Sequence, residues 1–255
     1  MNISVLILTL NEEINLPRCL DSLKWCDDVV ILDSKSSDKT VQIARKMGAR
    51  VVERAFDNYA NQRNYGLQEI EYKNPWLLMV DADEAVPPEL VTEMSEVLGK
   101  AEPELCLLRM RRKDFFMGRW IRRSSGYPTW FGRLARIGRV RVEREINEEY
   151  VTDGKVDLLQ EHLLHYPFNK GFHAWFEKHN RYSSMEGVLL ESKQAEQCSL
   201  GSLFSSDPAE RRKAVKSLVY RMPGRPLLMF LALYLARGGL LDGRAGFTFC
   251  LLRSF

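Results

Sequence analysis

Three apolar runs in the first eighty residues, ISVLILTL (3–10), VVIL (29–32) and WLLMV (76–80), restrict what this chain can become. Each is β-branched or leucine-rich at consecutive positions, without the polar alternation of a strand with one wet face. Each therefore reads as a strand buried on both sides. A fourth, shorter strand is expected at 50–53, and helical segments separate the runs. Strands alternating with helices predict an α/β domain with a mainly parallel sheet covered on both faces. Two runs end on acids, the second on Asp33 and the third on Asp81, Asp83 and Glu84. Ligands of such sheets bind beyond the carboxyl ends of the strands, so these acids mark the rim of a candidate site.

The helices carry their own punctuation. Asn11 is the expected N-cap of a helix running to Leu23, with Glu12 and Glu13 in its first turn. Thr40–Met47 is expected to close on Gly48, with Asp38 as its cap. Further helices are expected from Asn58 to about Ile70 and from Pro88 to Leu98, the latter ending at Gly99. Beyond residue 105 the pattern loosens into a strand at 105–110, basic aromatic-bearing loops and short strands over 111–144, and a helix over 172–185. Residues 199–213 have the composition of a linker.

Charge is distributed unevenly. From Arg109 to Arg144 twelve Lys/Arg face two acids, Asp114 and Glu143, and from Arg211 to the end nine face Asp242 alone. Positive charge is thus concentrated where an anionic ligand or surface would meet it. The five cysteines are scattered and never form C-x-x-C, which argues against a disulfide framework or structural zinc and fits a reducing cytosol. The start, MNISVLILTLNEE, does not read as a signal peptide.

Asp-x-Asp on a tight turn brings two carboxylates within reach of one hard cation, Mg²⁺ or Mn²⁺, which keeps sites open for a diphosphate. The plainer reading is that the acids cap the Pro88 helix or face solvent. Asp33 resembles the acid that holds a ribose in dinucleotide-binding folds, yet the first strand–helix loop, TLNEEINLP, has no G-x-G-x-x-G clamp. A nucleoside site without a glycine clamp, beside a metal site, favours a nucleoside diphosphate donor.

Four blocks in order, ISVLILTLNEEINLPRCLDSL, VVILDSKSSDKTVQIARKMGARVVE, FDNYANQRNYGL and WLLMVDADE, resemble inverting family 2 glycosyltransferases with the Rossmann-like GT-A fold. The branch they look like contains the lipopolysaccharide core β-1,4-glucosyltransferases and related cell-envelope enzymes. The resemblance implies a GT-A domain over 1–198, with a nucleotide-sugar half (1–104) and an acceptor half (105–198), then a basic and apolar helical segment (199–255). It implies that the main chain at Thr9 and Leu10, with Glu12 and Asp33, holds the nucleoside. Asp81 would face the ribose and the metal shell, Asp83 would ligate Mn²⁺ or Mg²⁺, and Arg63 would lie near the base or diphosphate. Trp130 and Arg133 would form part of the acceptor or donor-sugar wall. The donor would be a UDP-hexose and the acceptor a lipid-linked or lipopolysaccharide-type glycan.

An inverting displacement needs a carboxylate to take the acceptor's proton. By the resemblance that base is Glu148, with Glu149 and Glu145 as rivals. Asn147 stands where the family has a histidine, and an acidic turn in solvent is the competing reading. Lys35 departs from the small residue usual after Asp33-Ser34 and would crowd the nucleoside or add charge near the phosphates. His165 has two readings, a neighbour of the metal site or, in the absence of ligand spacing, a hydrogen-bonded packing histidine, and the second is the expectation.

The longest apolar stretch near the end, 227–236, is ten residues and too short to span a bilayer. Preceded by Arg211, Arg212, Lys213, Lys216, Arg221 and Arg225, it suits peripheral contact of 211–255 with an anionic leaflet at the cytoplasmic face of the inner membrane. A packed core helix is the alternative. Competing functions are a D-x-D-x-T phosphoryl transferase, for which Ala85 stands at the wrong position, a catalytically inactive relative, and a nucleic-acid binder. The last would use the aromatics of 109–144, but the acid-rich first half would repel a phosphate backbone, so no nucleic-acid partner is expected.

Overall fold

A computed structural model describes residues 2–143, 149–192 and 224–254. The chain divides into two compact units, Met1–Trp120 with Gly126–Asn169, and Ile121–Ser125 with Lys170–Phe255. The boundary expected at 198–199 falls outside the described residues.

The first unit opens with β1 (Ile3–Thr9), α1 (Leu16–Asp21), β2 (Val29–Asp33), α2 (Thr40–Lys46), β3 (Arg50–Glu53), α3 (Tyr59–Gln68) and β4 (Trp76–Asp81). It continues with β5 (Glu84–Ala85), α4 (Pro88–Gly99), β6 (Leu105–Phe116), β7 (Arg119–Trp120), β8 (Trp130–Arg136), β9 (Arg141–Glu143), β10 (Glu149–Val151) and β11 (Lys155–His165). The main sheet runs β3-β2-β1-β4-β8-β6-β11-β5, with β7 beside β6; β9 and β10 form a separate hairpin. β3, β2, β1 and β4 are mutually parallel, as are β6 and β11. β8 runs antiparallel to both β4 and β6, so the sheet is mixed, with its parallel half where the apolar runs predict it.

The parallel half is buried on both faces, as continuous apolar runs require. Ile3, Val5, Ile7, Ile31, Leu78 and Val80 pack on one side with α1 and α4 residues such as Leu16 and Leu90. Leu6, Val30, Leu32, Leu77 and Met79 pack on the other with Leu67 of α3. Register brings the strand ends together: Thr9 lies opposite Asp33, and Leu8 opposite Asp81.

The caps largely follow the sequence. Asp38 accepts from the Thr40 amide (2.9 Å), Asn58 accepts from the Asn61 amide (2.7 Å), and Gly48 at φ +86° ends α2. Asn11 does not cap a helix. It takes a left-handed φ of 54°, which asparagine tolerates, and its Oδ1 accepts from the Ser37 amide at 2.8 Å. That bond ties the loop after β1 to the loop after β2, and α1 starts later, at Leu16.

The second unit contains α5 (Gly171–Ser192), α6 (Arg225–Leu231), a π turn (Ala232–Ala236), a 3-10 turn (Gly239–Asp242) and α7 (Gly243–Ser254). Asp242 is buried and accepts from the Arg123 amide (2.9 Å), the Ser124 amide (3.0 Å) and the Ser124 hydroxyl (2.8 Å). A Cβ on Gly246 of α7 would sit 2.1 Å from the Gly239 carbonyl oxygen, so the close approach of α7 to the 3-10 turn demands glycine there.

Candidate active site

The strand ends of β1, β2 and β4 and the short β5 hold the acids. Asp33 is fully buried. Its carboxylate accepts from the Thr9 hydroxyl (2.7 Å) and from the Ser36 amide (2.7 Å) and hydroxyl (2.6 Å), so in this arrangement it fastens two loops and presents no open surface. Leu10 is exposed at the same edge. The Glu12 carboxylate accepts from Asn15 (2.9 Å), and its amide donates to Thr40 (2.7 Å). The Lys35 ammonium is 62% exposed and 3.9 Å from Glu53.

Beyond β4 the carboxylates do not simply repel one another. Asp81 Oδ1 is 3.0 Å from Arg63, and Oδ2 is 2.7 Å from Arg133. Arg133 also reaches Glu84 Oε1 at 2.9 Å, Arg112 approaches the same oxygen at 3.4 Å, and Glu84 Oε2 accepts from the Asp81 amide at 2.9 Å. Arg63 is a buried partner of this network and not a helix-surface arginine. Burial alone would raise the Asp81 carboxyl, but Arg133 and then Arg63 outweigh it and hold the group well below the usual carboxylate range. Burial pushes Glu84 up; Arg133 opposes it and the Asp81 charge adds to it. Both Asp81 oxygens are thus occupied by arginines in this arrangement, which leaves a metal shell to be built from neighbouring groups.

Asp83 meets such a neighbour. His165, last in β11, pairs with Glu84 of β5 across the sheet. Its Nε2 lies 3.3 Å from Asp83 Oδ2, and its Nδ1 lies 2.6 Å from Asp114 Oδ1. Burial disfavours the charged ring, but Asp83, helped by Asp114 and opposed by Arg112, raises its pKa to about 9. Sequence reasoning preferred a packing residue for His165 over a neighbour of the metal site. What it missed is a pairing across eighty residues; the only local signal was a histidine ending a strand.

Arg133 and Trp130, expected to share the acceptor or donor-sugar wall, belong to different clusters. Arg133 joins the acids, while the Trp130 ring lies 4.8 Å from the Arg111 guanidinium carbon. Asn147, Glu148 and Glu145 lie outside the described residues. Glu149 begins β10, paired with Glu143 of β9.

Parallel strands ending in a charged edge, with an aspartate and a histidine converging beside a carboxylate held by arginines, give the site the usual place of a ligand pocket in an α/β sheet. The family model of glycosyl transferase family 2 matches residues 4–162, more than half of the chain, and the chain belongs to that family of glycosyltransferases. Over 253 residues it is 26% identical to the lipopolysaccharide core biosynthesis glycosyltransferase LpsC of Rhizobium meliloti, covering 96% of this chain and 85% of that protein. It is 36% identical over 119 residues to an uncharacterized glycosyltransferase of Rickettsia bellii, covering 44% of this chain; this match spans 40% of the relative's length. Among solved structures, S. aureus TarS 1–349 in complex with UDP-GlcNAc aligns with a TM-score of 0.50 at 16% identity, over 100% of this chain and 90% of that one, a likeness of fold.

Proposed function

We propose that this enzyme transfers a hexose from a UDP-sugar, with inversion, to a lipid-linked or lipopolysaccharide-type glycan, and that the transfer depends on Mn²⁺ or Mg²⁺. The observation that carries the reading is the Asp83–His165–Asp114 relay at the strand edge. Among the described residues no group of three His, Cys, Asp or Glu side chains is poised for a metal. A pair suits a cation that keeps positions for diphosphate oxygens and water. The donor set fits once metal binding displaces the Nε2 proton of His165: Asp83 supplies a hard oxygen, Nε2 then presents its lone pair, and Asp114 fixes the ring through Nδ1, the arrangement that orients metal-bound histidines.

When bound there, the ion would act as a Lewis acid toward the charge that grows on the leaving diphosphate. The remaining work belongs to the chain. Asp81, 31% exposed between Arg63 and Arg133, is held rigid and ionised at the edge where a ribose would lie. The linked loops after β1 and β2 shape the nucleoside end, through the main chain at Thr9 and Leu10. Glu148 is the proposed base, taking the acceptor hydroxyl's proton as oxygen attacks the anomeric carbon.

The acceptor class is supported by the likeness to LpsC across nearly the whole chain. Membrane contact is supported by the second unit. Leu227, Leu235 and Leu241 are 63%, 56% and 63% exposed on short helices bearing Arg225, Arg237 and Arg244. Among the described residues no single helix is long and apolar enough to cross a membrane, while the pair Arg225–Ala236 and Gly239–Ser254 is bent by 73°. A bent, apolar, arginine-flanked pair suits a segment lying in the interface at the cytoplasmic face.

Thermal unfolding of the purified protein with UDP-glucose, UDP-GlcNAc and other nucleotide sugars, with and without Mn²⁺, tests the donor. The expected result is stabilisation by UDP compounds that requires the metal. Stabilisation by other nucleotides alone, or without metal dependence, would refute it.

A further inference from the structure

Side chains alternate along a strand, so Arg111 and Lys113 project from the opposite face of β6 to Arg112 and Asp114. On that face the Arg111 guanidinium carbon lies 4.8 Å from the Trp130 ring centre and 5.9 Å from that of Tyr127. Arg111 Nη1 donates to the Tyr127 hydroxyl (3.2 Å), and Nη2 donates to the Gln160 carbonyl. The Lys113 ammonium sits 5.2 Å from the centre of the Trp120 ring, which meets Tyr127 edge-on. His162 Nε2 is 3.1 Å from the Tyr127 hydroxyl. All these aromatic rings and both cations are partly exposed.

What sets the cluster apart is its charge. Among the described residues neither Arg111 nor Lys113 pairs with a carboxylate. Glu161, 44% exposed, lies 3.8 Å from His162 Nδ1. Burial, then Arg111 and Lys113, lowers the His162 pKa, which disfavours a third positive charge in the cluster. The buried Arg111 Nε has no hydrogen-bond partner among the described residues. A half-buried guanidinium without a counter-charge is costly unless a ligand supplies one.

We infer that this face binds an anionic saccharide unit, a pyranose bearing a phosphate or a carboxylate. The Trp130, Tyr127 and Trp120 rings offer apolar surface to the C–H face of a sugar. Arg111 and Lys113 take the oxyanion, the first as a planar fork and the second as a point charge. Gln160 and His162 border the ring hydroxyls. The inference rests on the proposed function for its biological sense: the ligand would be a charged residue of the acceptor other than the ring carrying the attacking hydroxyl, because the cluster and the Asp83 edge issue from opposite faces of β6.

The test uses the whole purified protein, with ligand-detected NMR and tryptophan fluorescence. The probes are glucose 6-phosphate, glucuronate, neutral methyl glucoside, inorganic phosphate and a short oligothymidylate. Both anionic sugars should bind more tightly than methyl glucoside and phosphate. Arg111→Gln should weaken them about tenfold, the loss of one charge-assisted contact, and Lys113→Gln severalfold, with Mn²⁺-linked UDP stabilisation unchanged. Should Arg111→Gln fail to fold, Lys113→Gln decides alone, since its ammonium only overlies a ring. Equal binding of charged and neutral sugars, undiminished binding by the variants, or preferential binding of the oligonucleotide would overturn the inference. Sugar-anion binding that persists in a protein blind to UDP and Mn²⁺ would leave it standing while the donor reading fell.

Discussion

The two faces of β6 make opposite use of the same residue type. Arg112 meets Asp114 at 3.0 Å and Glu84 at 3.4 Å, within a network where Arg63 and Arg133 also rest on carboxylates. One residue earlier and one later, Arg111 and Lys113 rest on aromatic rings and have no carboxylate partner among the described residues. A self-balanced network fixes geometry, because each charge holds its neighbour against solvent. An unbalanced cluster holds little by itself and leaves its charge for something else. The first suits a site that must be rigid before the donor arrives, and the second suits a site completed by its ligand.

This contrast can be broken or sharpened experimentally. The largest effect should come from Asp83→Asn, which removes the hard oxygen facing His165; Mn²⁺-supported sugar transfer should fall on the order of 10³-fold at saturating donor. Transfer within tenfold of wild type would show that the metal sits elsewhere. Arg133→Met should cost about 3–5 kcal/mol in urea unfolding, because it leaves Asp81 and Glu84 short of the cation they share. A loss under about 0.5 kcal/mol, typical of a surface site, would mean the balanced network does not fix the fold. Asp114→Asn should weaken Mn²⁺ binding by about 10–100-fold in calorimetric titration while the protein still folds, the signature of a positioning residue. Unaltered affinity would reduce the relay to packing. Smallest, Asn58→Ala should cost about 1 kcal/mol of stability through loss of the α3 cap. It touches neither face, so it sets the scale for a change that is only structural.

Much of the fold was legible beforehand for local reasons. Consecutive apolar residues can only be satisfied by a doubly covered strand, and β1, β2 and β4 fall where those runs stand. Gly48, Asn58 and Pro88 mark helix ends by backbone chemistry that needs no distant partner. The strand 105–110 was foreseen but not its continuation to Phe116, because four consecutive charged residues, Arg111 to Asp114, mask a strand whose cations are paired or stacked. Asn11 was misread because a left-handed residue bonded to Ser37 and a helix cap carry the same sequence signal.

By itself the sequence determined the parallel half-sheet, the acids at its edge and the family, since these depend on runs of neighbours and on ordered motifs. The partners of those acids were decided by tertiary structure alone. His165 reaches Asp83 only because β11 pairs with both β6 and β5, and Arg133 reaches Asp81 only because β8 lies between β4 and β6. Likewise, which arginines along β6 found acids and which found rings followed from the pleat and from the strands beside it. Hydrogen bonds and ion pairs act over a few ångströms of space, and separation along the chain does not measure that distance.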